Sequence, residues 1–171
     1  LRSSQSPEEL ATRFLSGPQD AWIIEEANPD IRFQHGNAVV IPLKARNRGG
    51  LSIDGFQTIP ILTYHRFADN CDAPLCMPRK EFDRQMRHLK NNGYQVIPAK
   101  EFLAFIEYRR RLPSKSVLIT IDDGYRSTYT IAYPILKKYG FKATLFVYTN
   151  FVGASKTAVT WDQLKEMKAD G

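Results

Sequence analysis

The stretch VLITIDDGYRSTYTIAYPILKKYG, residues 117–140, decides the fold. It opens on apolar and β-branched residues without alternation, as a strand buried on both faces does. Asp122 and Asp123 follow side by side, and Gly124 comes next. Neighbouring residues on a regular strand point to opposite faces. Both acids can therefore serve one pocket only where the strand is ending, and Gly124 gives the backbone the freedom to turn there. A second reading competes with this one: one acid caps the helix that follows while the other is solvated. Beyond the turn, residues 127–140 carry a helical pattern in which Pro134 implies a late start or a kink.

Working outward, IPILTY (59–64), YQVI (94–97) and ATLFVYT (143–149) read as further strands. Between them, EFDRQMRHLKNNG (81–93) places Phe82, Met86 and Leu89 at i, i+4 and i+7 and ends on Gly93, the pattern of an amphipathic helix with its stop. AKEFLAFIEYRRR (99–111) predicts the next helix. Thr160 with Gln163 caps a last one carrying Trp161, Leu164 and Met167. Strands separated by helices argue for a parallel sheet with right-handed crossovers, as a β/α barrel or a doubly wound fold. In both, chemistry gathers at the C-terminal ends of strands. Asp122, Asp123, Gly124 and Tyr125 stand there, and His65 follows another strand at the same end.

The chain has 171 residues, 43% hydrophobic and 25% charged, enough to bury a core in one or two domains. No apolar run nears the roughly 18 residues that span a bilayer, and no basic-then-apolar leader precedes the first helix, so a soluble chain, with or without a leader removed upstream, is expected. A net charge of +6 suits an anionic neighbour. Its Lys and Arg are scattered, however. The run Arg109–Arg111 falls at a helix end, where cations suit the dipole, and no base-stacking aromatics accompany it, so nucleic acid is not expected. Cys71 and Cys76 lie in NCDAPLCMP, a loop that accommodates either a disulfide or two free thiols; a zinc site needs more Cys or His than the loop supplies.

Residues 6–42 differ in character. Ser6, Pro7 and Glu9 form a capping-box start for a helix whose inner face is expected to carry Leu10, Phe14 and Leu15. A second helix begins near Pro18 and is expected to bury Trp22, Ile23 and Ala27 before NPD stops it; AVVIP (38–42) then reads as a strand. The order PEELATRFL, AWIIEEANP, GNAVVIP resembles a LysM module over residues 1–43. That resemblance implies a small α+β fold binding N-acetylglucosamine-containing glycan, with its usual opening strand and Gly-Asp turn either absent or lost upstream. Residues 44–58, with three glycines and no helical period, read as a linker.

The segment LITIDDGYRST closely resembles the first motif of the polysaccharide deacetylase family, also called NodB-homology or carbohydrate esterase family 4, with Ile121 where the family usually has Phe. IPILTYHRF, EFDRQMRHLKNNGYQVI, AYPILKKYGFKATLFV and WDQLKEMKADG follow that family's elements in order, so the resemblance covers residues 59–171. It implies a NodB-type barrel and removal of acetyl groups from N-acetylglucosamine-containing polysaccharide of a cell wall or exopolysaccharide. Asp122 would be the base on a metal-activated water and Asp123 a ligand of a divalent cation, zinc first, with cobalt, nickel or iron tolerated. His65, Gly124 and Tyr125 would line the pocket.

The family completes its metal site with an H-x-x-x-H motif just after a turn equivalent to KEMKADG, where this sequence stops. His35 and His88 read as surface residues, and His65 as a poor substitute for those ligands. Residues 59–171 fall short of the roughly 200 residues of a complete β/α barrel. They are expected to be the first portion of a catalytic domain, inactive alone and dependent on self-association or on the remaining half in trans. Extracytoplasmic localisation is expected. A non-catalytic glycan-binding protein is the alternative; a phosphatase with an Asp-x-Asp nucleophile needs different spacing.

Overall fold

The computed structural model describes residues 5–43, 50–52 and 55–171. Its centre is the quoted stretch. Strand β7 (Ser116–Ile121) is buried at every position. It pairs in parallel with β3 (Ile61–Tyr64) on one side, Tyr64 opposite Ile121. On the other side β6 (Gln95–Ile97) pairs with its first half and β8 (Thr144–Leu145) with its second. Between these strands run α3 (Arg79–Asn91), α4 (Ala99–Ile106) and α5 (Tyr133–Tyr139), and α6 (Trp161–Ala169) closes the chain. The parallel α/β architecture read from the sequence is present, as an open sheet consistent with part of a barrel.

Phe82, Met86 and Leu89 of α3 are buried at the predicted spacing, against Tyr64, Val117, Ile119, Ile121 and the inner side of α5. Phe82 meets the rings of Tyr64 and Phe67 edge-on, at 4.9 and 4.8 Å between centroids. The Tyr64 hydroxyl donates to Gln85 Oε1 at 2.6 Å. Burial pushes that hydroxyl up from 10.0 to about 12. The folded state thus favours the protonated form, and this contribution is intact below the unfolded value and lost as pH climbs between about 10 and 12. Urea unfolding should show a fall of about 2 kcal/mol over that interval that Tyr64→Phe removes; an unchanged slope in the variant would refute the assignment.

The helix expected over residues 127–140 is present, and the irregularity implied by Pro134 takes the form of a π turn ahead of a regular α5 that starts late, at Tyr133. Residues Thr128–Ala132 form a π turn, with the Tyr133 N–H bonding Thr128 O. The wide turn moves the carbonyls away from the Pro134 ring, which would clash with residue 130 in a regular helix. Of ATLFVYT, only Thr144–Leu145 pairs as a strand. Helix α6 has the predicted capping box but no buried residue, and Trp161 is exposed. It is tied to the preceding helical segment by polar groups instead: Tyr129 donates to Glu166, and Tyr133 and Lys137 both donate to Asp170.

The first segment forms α1 (Pro7–Phe14) with its capping box, then a 3-10 turn at Pro18–Asp20 and α2 (Ala21–Ala27). Its core is Leu10, Ala11, Ala21 and Ile24, with Leu15, Phe33, Val39 and Ile41 packed around it. Phe14 is exposed, and Trp22, Ile23 and Ala27 are only half-buried, because Ala21 and Ile24 take the inner face of α2 instead. AVVIP is not assigned as a strand: among the described residues, 37–43 join no ladder. Buried Asn28 does the pairing, its amide donating to the carbonyls of Ile24 and Val40 and accepting from the Val40 N–H. Glu26 accepts from both Ser114 N–H and hydroxyl, and the Arg111 guanidinium lies 5.4 Å over Trp22, so this segment rests on the loop before β7.

Of the expected linker, residues 44–49 and 53–54 lie outside the described residues, while β1 (Leu51–Ser52) and β2 (Gly55–Phe56) pair antiparallel. Cys71 and Cys76 form a disulfide. It ties off the loop between two strands the sequence did not reveal, β4 (Arg66–Ala68) and β5 (Cys76–Pro78), which pair in parallel with Arg66 opposite Cys76.

Candidate active site

Strand β7 delivers both acids to one place by ending abruptly. Asp122 still belongs to the ladder, its N–H donating to Tyr64 O at 2.8 Å. Asp123 then takes φ +74° and Gly124 φ +82°. Two successive left-handed residues end the regular alternation of the strand directly after Asp122. Left-handed backbone is costly for a residue with a Cβ, and such strain collects at functional sites. Position 124 has a second requirement: a Cβ there would lie 3.2 Å from Val147 Cγ1. The Gly124 carbonyl also accepts the Val159 N–H at 2.9 Å, which clamps the turn. Neither acid caps the following helix; the competing reading is not what the chain adopts.

His65 lies at the matching end of β3, with Nε2 3.8 Å from Asp122 Oδ2; both side chains are about a quarter to a third exposed. Tyr125 bridges to Ala158 and meets Phe151 edge-on at 5.6 Å. His65, Asp122, Asp123, Gly124 and Tyr125 thus cluster at one end of the sheet, as the strand reading requires. His35 and His88 lie on the surface. Asp123 offers one oxygen donor for a cation, but among the described residues no three His, Cys, Asp or Glu side chains gather into a metal centre. The residues present fit part of a metal shell and do not close one.

Sequence reasoning missed the cleft beside the acids. Arg66, Arg126, Ser127 and Thr157 line it together with Tyr125 and the disulfide loop. The signal was present in part: Arg66 adjoins His65, and Arg126 adjoins Tyr125.

Residues 109–171 match the family model described as polysaccharide deacetylase. The chain is 42% identical over 113 residues to the Bacillus subtilis protein YxkH of that family, an alignment covering 66% of this chain and 39% of YxkH. It is 35% identical over 97 residues to the poly-β-1,6-N-acetyl-D-glucosamine N-deacetylase of Staphylococcus aureus, covering 54% of this chain and 33% of that protein. In structure it is similar to the Streptococcus pyogenes deacetylase PplD, solved in complex with acetate, with a TM-score of 0.62, 35% identity, and 66% of this chain and 53% of that one covered. The chain therefore spans only a third to a half of the length of these relatives. The part of the chain that holds the paired acids is thus similar in sequence and in structure to the polysaccharide deacetylase family.

Proposed function

We propose that residues 59–171 work as part of a metal-dependent N-deacetylase that removes acetyl groups from N-acetylglucosamine-containing polysaccharide outside the cytoplasm. The observation that carries this reading is the pair Asp122 and Asp123 at the end of the central strand, where Asp123 takes left-handed backbone and His65 Nε2 lies 3.8 Å from Asp122 Oδ2. The disulfide supports an oxidising compartment.

In this mechanism Asp122 is the general base. Its place in the ladder and the His65 ring beside it fix the carboxylate, and it takes the proton of the water that attacks the acetyl carbonyl. Asp123 holds a divalent cation together with donors supplied outside the described residues; zinc is the first candidate, and cobalt, nickel or iron suit such donors too. That cation, when bound, supplies Lewis acidity toward carbonyl and water. Acetate release from N-acetylglucosamine oligomers, by the longest form of the protein that carries residues 59–171, tests the reading. A non-catalytic glycan binder would bind those oligomers and release none.

The helical segment at residues 1–43 is assigned a glycan-holding role, supported by the order of its elements and its seat against the loop before β7. Its removal should weaken retention on insoluble peptidoglycan or chitin and leave hydrolysis of short soluble oligomers nearly intact. Undiminished retention in a pull-down would make the segment purely structural.

A further inference from the structure

The cleft beside the acids contains chemistry that the hydrolytic step does not use. It encloses about 550 Å³ between the disulfide loop and the π turn, and Arg66, Asn70, Asp72, Tyr125, Arg126 and Thr157 contribute its polar lining. That volume suits a small ligand rather than a few waters. Neither acid lines it, but Arg66 follows His65 directly and Tyr125 lies two residues past Asp123, so two of its walls continue the chain from the strand ends that carry His65 and the acids.

Arg66 is held in place. Its N–H donates to Leu75 O at 3.1 Å and its guanidinium to Pro74 O at 3.3 Å, both carbonyls belonging to the loop that the disulfide closes. The guanidinium lies 5.6 Å over the Tyr125 ring. Arg126 is anchored in the other wall, its N–H donating to Thr157 O at 2.7 Å and its side chain to Lys156 O at 3.2 Å. Arg79, Arg84, Arg87, Arg109 and Arg110 all pair with carboxylates. Among the described residues Arg66 and Arg126 bond only carbonyls and a ring face. A guanidinium stays charged and presents a planar fork that matches carboxylate or phosphate oxygens. The half-buried Tyr125 beside it adds an apolar face of the kind on which a sugar ring packs.

We propose that this cleft is a second glycan subsite, which takes the sugar next to the one whose amide is cut and selects for an anionic substituent on it through Arg66 and Arg126. Its position relative to the reaction rests on the deacetylase reading above; its preference for anions does not.

The test is calorimetric titration of the longest form carrying residues 59–171, with Asp122→Asn to stop turnover. Three N-acetylglucosamine oligomers of equal length serve as probes: one neutral, one with a lactyl carboxylate on alternate sugars, one with phosphate there. Acetate release is measured in parallel with Asp122 intact. At least one anionic oligomer should bind about tenfold tighter than the neutral one, as charge-assisted hydrogen bonds allow. Arg66→Gln and Arg126→Gln should each erase most of that margin and leave neutral binding unchanged. Arg126 is exposed, so its variant keeps the test open if Arg66→Gln misfolds by circular dichroism. Equal affinity for all three oligomers, or equal losses on all three in the variants, overturns the subsite. Anion-selective binding without acetate release upholds the subsite and overturns the deacetylase reading; acetate release without anion selectivity does the reverse.

Discussion

Asp122→Asn, in the longest form of the protein that carries residues 59–171, is expected to cut acetate release by about 10²–10⁴-fold, the usual contribution of a positioned general base. Bound divalent metal should stay at the parent's level, because the substitution leaves Asp123 and the Tyr64-to-Asp122 backbone bond in place. Asp123→Asn should lose activity to a similar degree and also weaken metal binding, since a carboxylate oxygen is the donor removed. The two variants are compared by metal content after dialysis and by kcat/KM on a soluble oligomer. Matching metal content and matching residual activity in the pair would refute the division of roles.

Phe82→Ala should lower stability by about 3–5 kcal/mol, the range for emptying a fully enclosed aromatic site. The ring is completely buried and touches Tyr64 and Phe67, so collapse of the site would have to draw in both aromatics and the strand end that leads to His65. Urea unfolding followed by tryptophan-independent far-ultraviolet dichroism gives the measurement. A loss below about 1 kcal/mol would mean that α3 repacks freely and does not brace the end of β3.

Much of the sheet was legible because its burial leaves a periodic record. Phe82, Met86 and Leu89 announce α3, and the unbroken apolar run of β7 announces a strand covered on both faces. The pairing of acids at the strand end could be argued from Gly124 alone. The left-handed conformation of Asp123 could not, since an aspartate tolerates it without advertising it. Residues 38–42 have the composition of a strand, yet a side-chain amide on Asn28 replaces the neighbouring strand, and a single Asn carries no periodic signal. The cleft was hidden for a related reason. Arg66 and Arg126 are sixty residues apart, and the short ladder joining Arg66 to Cys76 is too brief to leave a pattern. The choice between disulfide and free thiols depends on how close the two cysteines come, which spacing leaves open.

The order in which the strands arrive has a consequence for how the chain is made. Among the described residues strand β3 pairs with β7, whose residues follow its own by 57 positions, and β6 also waits for β7. At a synthesis rate of roughly 5–20 residues per second, β3 stands unpaired for about 3–11 seconds before its partner is made. Helices α1 and α2, with their short-range core, have no such delay. The strand that carries the two acids is therefore also the keystone of assembly: until Ile121 has been added, two apolar strands depend on helix cover or on chaperones, and damage to β7 harms the birth of the domain as well as its chemistry.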